Sequence, residues 1–274
     1  MAEREFSLNS WLRGVRLCKR GIAGASLLLA GLLPGAVAAT DNAAFREEFD
    51  RFDRKAWYVS DGWSNGDHQN CQWSKRAIGV SEGNLSLRYI PLPNAKAGKP
   101  AALCGEIQTK ARYGYGTYEA RIRTDAGSGL NAAFFTYIGP VHKQPHDEID
   151  VEILPRSADR VWLNKYQDGT DHGMGQLADL PGFDSGAYHT YAFIWEPGRI
   201  RWFIDGRQMM EQTENLPSHR QKIYFSFWGT DTLVRWMGPF TMPDQPLTMN
   251  VDLVAFTPLG QGCAFEGSVL CTLE

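Results

Sequence analysis

Residues 146–154 read HDEIDVEIL. Glu148, Asp150 and Glu152 stand at every second position, and Ile149, Val151 and Ile153 fill the gaps. Successive side chains of a strand point to opposite faces, so the spacing predicts a strand with three carboxyls on one side and three branched apolar groups on the other. The apolar side asks for a core beneath it. The acidic side asks for a separate reason, because like charges along a strand repel and the run contains no Lys or Arg. In a chain with 31 acidic residues such a triplet can also arise by chance on a solvated strand.

The surrounding sequence has the same short-strand texture. GNLSLRY (83–89) places Leu85 and Leu87 on one side, and GTYEARIRT (116–124) does the same with Tyr118, Ala120 and Ile122. HTYAFIWEPGRIRWFIDGRQ (189–208) reads as two strands around Pro197-Gly198, followed by a tight turn at Asp205-Gly206. KIYFSFW (222–228) and LTMNVDLVAF (247–256) continue the series, and PLPNAKAGKPAA (91–102) is the longest expected loop. Regular short strands with turn signals and no helix-length amphipathic run predict one all-β domain over residues 41–274, a sandwich or a barrel. A formal net charge of -3 gives no reason to expect nucleic acid or an anionic membrane as partner. The 9 Trp, 10 Tyr and 14 Phe serve as core filler one by one, or as flat faces for sugar rings where several are exposed together.

Residues 1–38 read as a separate object. Arg13, Arg16, Lys19 and Arg20 precede GIAGASLLLAGLLPGAVAA, and Ala36-Val37-Ala38 gives a small-x-small cleavage pattern. This predicts a secretory signal peptide, cleaved after Ala38 or Ala39, rather than a membrane anchor, because Gly and Pro34 interrupt the apolar run. The expected product is secreted, extracellular or periplasmic, with no membrane contact after cleavage. Its four cysteines, Cys71, Cys104, Cys263 and Cys271, allow three pairings in an oxidising compartment. Cys263 with Cys271 is the simple one, and Cys71 with Cys104 would close a longer loop.

Chemistry gives crowded carboxyls a use. Retaining glycoside hydrolysis needs one ionised carboxyl as nucleophile and one protonated carboxyl as acid. Neighbouring carboxylates cannot all ionise easily, so one is driven to keep its proton. Glu148 and Glu152 have Cα atoms roughly 13 Å apart on a straight strand, whereas retention needs carboxyls about 5–5.5 Å apart. Both side chains must therefore lean inward, as they can in the hollow of a curved sheet. A divalent cation is the rival use of clustered acids, but calcium prefers six to eight oxygens from a turning loop.

DEIDVEIL resembles the catalytic strand of glycoside hydrolase family 16, whose form is Glu-x-Asp-x-Glu. SDGWSNGDHQNCQW, RYGYGTYEARI, FFTYIGP, HTYAFIWEPGRIRWFIDG and FSFWGT fall in family order, so the resemblance covers about residues 45–256. It is strongest to bacterial lichenases and to rhizobial glycanases that cut succinoglycan. The resemblance implies a jelly-roll sandwich of two curved antiparallel sheets with a concave substrate cleft. It implies that Glu148 is the nucleophile, Asp150 its helper and Glu152 the acid/base. It implies substrate contacts at Trp63, Asn65, Glu106, Asn164, Tyr166, Trp228 and Trp236, and a Cys71–Cys104 disulfide.

Three cleft positions depart from the lichenase pattern: His146 stands for Trp, Gln108 for Arg and Ser226 for Asn. Losing a stacking ring and a charged donor changes how sugars are held, which favours a substituted or branched polymer. No cofactor is expected for catalysis. The resemblance implies a structural calcium on the convex face, held by the carbonyls of Glu48 and Gly83 and the side chain of Asp252. The expected protein is a monomer acting on a polysaccharide. A non-catalytic carbohydrate-binding sandwich and a transglycosylase of the same fold are the competing readings.

Overall fold

The computed structural model describes residues 43–96, 99–157 and 159–273. The expected signal peptide lies outside the described residues. The described residues form sixteen strands: β1 (Phe45–Glu47), β2 (Trp57–Val59), β3 (Gln72–Trp73), β4 (Ile78–Ser81), β5 (Asn84–Pro91), β6 (Ala102–Thr109), β7 (Gly116–Thr124), β8 (Leu130–Ile138), β9 (Asp147–Ile153), β10 (Val161–Tyr166), β11 (Gln176–Leu177), β12 (His189–Glu196), β13 (Arg199–Ile204), β14 (Arg207–Gln212), β15 (Lys222–Gly229) and β16 (Leu247–Pro258). One layer runs β11-β10-β9-β8-β15-β6, and the other β5-β16-β7-β12-β13-β14. They join where β5 pairs with β6 at Ile90–Leu103 and Pro91–Ala102. Among the described residues, every strand pairing but the short parallel β3–β6 pair is antiparallel. The result is the expected all-β jelly-roll sandwich.

Alternation decides what fills it. Ile149, Val151 and Ile153 of β9 are buried, as are Leu85, Leu87 and Tyr89 of β5 and Tyr118, Ala120 and Ile122 of β7. Stacked rings bridge the layers: Phe225 lies on Phe134 (5.3 Å), Phe134 meets Phe193 (5.7 Å), and Phe193 lies on Tyr118 (4.7 Å). Such ring pairs add to the area they bury, each by about 0.5–1.5 kcal/mol. The turn between β13 and β14 is the expected one, with Asp205 and Gly206 both at positive φ (49° and 76°), as a tight type I′ hairpin needs.

One expectation changes. Segment 92–101 is not the longest connection; residues 230–246 are, and they include the short helix α1 (Val234–Met237), which carries Trp236. Glu119, on the outward face of β7, is buried as well. Residues near the C-terminus cover it, with Ser268 Oγ (2.6 Å) and the Val269 N–H (2.7 Å) donating to its carboxylate. That segment is closed by Cys263–Cys271 (Cα–Cα 4.7 Å), and Cys71–Cys104 (5.8 Å) ties the loop after β2 to β6.

A polar bond joins the facing layers at β13 and β9. The buried indole of Trp202 on β13 donates from Nε1 to the backbone oxygen of Asp150, 3.0 Å away. It fixes the middle of the acidic strand from behind. Trp202→Phe keeps a ring but leaves that oxygen without its donor, which costs about 1–3 kcal/mol. Chemical denaturation should show a loss of that size, and an unchanged midpoint would contradict the assigned role.

Candidate active site

Strand register builds the site. Three rows of side chains cross the β9 layer on the face away from the core. One row runs Trp162, Glu152, Ala133, Ser226, Glu106. The next runs Asn164, Asp150, Phe135, Tyr224, Gln108, Tyr58. The third runs Tyr166, Glu148, Tyr137, Lys222. From β9 to β2 these rows form the floor of a cleft of about 840 Å³ that takes in all three acids, and the β10 residues lie beyond its edge. Ala133 has no side chain beyond Cβ, which leaves room beside Glu152.

Each acid has its own surroundings. Glu152 Oε1 accepts from Asn131 Nδ2 at 2.9 Å. Glu148 Oε2 lies 2.6 Å from His146 Nε2. Burial pushes the Asp150 carboxyl well above the usual carboxylate range, and the charges of Glu148 and Glu152 push it further. A hydrogen bond shared with Glu148 acts in the same direction, so the neutral acid is favoured at Asp150. Burial also raises Glu152, the Asn131 amide opposes the shift, and the Glu148 charge adds to it, so the group reaches about 8. Glu106 rises to about 7, chiefly by burial, against the hydroxyl of Ser60. Burial first, and the Glu148 charge after it, thus favour the protonated form of the acids around Glu148.

Of the residues expected to touch substrate, Trp63, Asn65, Glu106, Gln108, His146, Ser226 and Trp228 line the cleft. Trp63 is 41% exposed, so its ring is open to a sugar face. Asn164, Tyr166 and Trp236 lie outside the lining. Asn164 is buried beside Asp150, Tyr166 stacks on His146 (5.1 Å), and Trp236 packs against Trp228 (6.4 Å). Sequence reasoning missed Tyr58, His68, Phe135, Tyr137, His142, Lys222 and Tyr224, which also line the cleft. Where the lichenase pattern has Arg, the oxygen of Gln108 accepts from Lys222 Nζ (2.9 Å) and Tyr224 OH (3.0 Å). The cation at this place thus comes from β15.

Asp147 anchors the start of the strand. Its Oδ2 accepts from the backbone N–H groups of Ser218 (2.8 Å) and His219 (3.0 Å) and lies 2.8 Å from His219 Nδ1, while Oδ1 accepts from the Asp168 N–H (3.2 Å). Burial alone would raise this carboxyl, but those contacts outweigh it and hold the group low.

At the convex corner, Gly83 lies against the Glu48 carbonyl. Asp252 pairs with Arg121 through Oδ2, and its Oδ1 is buried with no hydrogen-bond partner. A buried carboxylate oxygen without a hydrogen-bond partner suits a hard cation, which takes oxygen ligands.

The model for glycosyl hydrolases family 16 matches residues 65–245. The chain belongs to that family. Family 16 relatives include the endo-1,3-1,4-beta-glycanase ExoK of Rhizobium meliloti, 48% identical over 233 residues, covering 84% of this chain and 85% of that one. The beta-glucanase of Bacillus subtilis is 35% identical over 84% of this chain and 96% of its own length. Among solved structures, a lichenase from a mouse hindgut metagenome superposes with a TM-score of 0.75 at 32% identity, covering 80% of this chain and all of that one. The Bacillus licheniformis beta-glucanase gives 0.73 at 31%, covering 79% and 98%. As a family 16 member, the chain is a glycoside hydrolase.

The raised carboxyls carry a stability consequence. A group held protonated in the fold contributes stability that is complete below its ordinary pKa and is lost as pH rises through its folded pKa. Glu152→Gln and Asp150→Asn remove that loss. Their thermal midpoints should exceed the wild-type value at about pH 8, and the gap should close toward about pH 4. Midpoints that stay equal across this range would contradict the assigned shifts.

Proposed function

We propose that this chain is a secreted, retaining endo-β-glucanase that cuts internal bonds of a succinoglycan-like exopolysaccharide or of a mixed-linkage β-1,3-1,4-glucan. One observation carries the catalytic part: three carboxyls on one face of β9 share a cleft, and burial keeps a proton on Glu152 while Glu148 stands two strand positions beyond Asp150. Glu148 Oε1 or Oε2 bonds the anomeric carbon. The glycosidic C–O bond breaks with its electron pair going to the departing oxygen, which takes the Glu152 proton. Asp150 shares its proton with Glu148 and steadies it. Water, deprotonated by Glu152, then hydrolyses the glycosyl-enzyme, and the product keeps its configuration. The identity to the Rhizobium endo-1,3-1,4-beta-glycanase supports a β-1,3-1,4-linked substrate, and the altered residues His146, Gln108 and Ser226 support a substituted polymer such as the exopolysaccharide. The basic-then-apolar leader supports export.

Reducing-end release from succinoglycan, lichenan and laminarin, with the anomer read by NMR, tests the substrate and the stereochemistry together. The β-anomer should appear first from succinoglycan or lichenan. Binding without release would favour a lectin-like sandwich, and longer products with added acceptor would favour transglycosylation. Glu148→Gln should lower kcat by at least about a thousandfold at unchanged fold. Because Glu152 must enter the first step protonated, kcat/KM should fall as pH rises through about 8.

We also propose that the carbonyls of Glu48 and Gly83 and Oδ1 of Asp252 hold a structural calcium remote from the cleft. Such a ion stabilises only the folded state. A chelator should lower the thermal midpoint of the wild type and leave that of Asp252→Asn unmoved; equal insensitivity of both would remove the site.

A further inference from the structure

His146 enters β9 from its N-terminal side and stands against Glu148. Its ring is fixed on both sides. It stacks on Tyr166 (5.1 Å, 16° between planes) and meets Tyr137 edge-on (5.1 Å, 65°). Its carbonyl accepts from the Gly169 N–H at 2.8 Å, so the backbone is tied as well. Tyr166 and Tyr137 are the register partners of Glu148 itself on β10 and β8. The same three strands therefore hold the acid and the imidazole beside it, with Nε2 2.6 Å from Oε2.

A carboxylate has two equivalent oxygens and a soft terminal torsion. Left free, it would present either oxygen over a range of angles, whereas attack at a sugar carbon needs one lone pair aligned. An N–H held on one oxygen removes that freedom. We propose that His146 is a positioning residue: by holding Oε2 it fixes the rotation of Glu148 and makes Oε1 the atom that bonds the anomeric carbon. This rests on Glu148 being the nucleophile. As the bond forms, Oε1 becomes the ester oxygen, and the departing oxygen leaves with its electron pair and takes the Glu152 proton. Oε2 becomes the ester carbonyl and keeps its imidazole neighbour, so the intermediate is held in the same orientation for hydrolysis.

The distinguishing variants are His146→Phe, which keeps a ring between the two tyrosines but has no donor, and His146→Gln, whose amide N–H can reach Oε2. The full chain is assayed on lichenan for kcat and KM. It is also labelled with an activated 2-deoxy-2-fluoro-β-cellobioside, and the labelled peptide is mapped by mass spectrometry. His146→Phe should lose at least about tenfold in kcat with KM within about threefold, and its rate of labelling should fall in parallel. His146→Gln should recover most of both. Should His146→Phe fail to fold, His146→Asn, too short to span to Oε2, carries the same expectation. Near-wild-type kcat without the donor, equal losses in the Gln and Phe variants, or a rise in KM alone would overturn the proposal. Labelling at a residue other than Glu148 would instead sink the nucleophile assignment.

Discussion

Period-two alternation along β9 is the constraint on which the rest depends. It sends Ile149, Val151 and Ile153 into the core and leaves Glu148, Asp150 and Glu152 no other direction than the cleft. A slip of one residue in register would exchange the two sets, placing three acids in an aromatic core. The core thereby sets the chemistry: the same contacts that bury the apolar side aim the carboxyls. The indole of Trp202 adds a directional bond at the centre of the strand, and the carboxylate of Asp147 anchors its beginning to two neighbouring loops.

That geometry makes electrostatics do the sorting. Side-chain chemistry is almost the same at all three positions, yet neighbours separate them. Asn131 touches Glu152, His146 touches Glu148, and Asp150 is the most enclosed of the three. Burial acts first and mutual repulsion second, and both favour protons on the acids flanking Glu148. The arrangement works against folding above the ordinary carboxylate range, a common trade between stability and activity.

Much of the fold was legible because alternation survives wherever one face is wet. β5, β7 and β9 could be read from their apolar periodicity, and the hairpin of β13 and β14 from Asp205-Gly206. β8 hid its role. Its core side chain Phe134 and its cleft side chain Phe135 are both aromatic, so no period shows, and Asn131, the partner of Glu152, could not be picked out. Lys222 looked like an ordinary strand-leading charge, and only register places it in the cleft. Family resemblance found Tyr166 and Trp236 but not their contacts, which run through His146 and Trp228. For Glu48 and Gly83 the groups in question are backbone carbonyls, which leave no side-chain trace in a sequence.

The central claim is that Glu152 keeps its proton at neutral pH beside Glu148. Carbon-13 NMR of glutamate side chains, with Glu152→Gln to assign the signal, measures this directly. The assigned environment predicts a carboxyl that titrates near 8. A midpoint in the ordinary glutamate range, about 4, would contradict it.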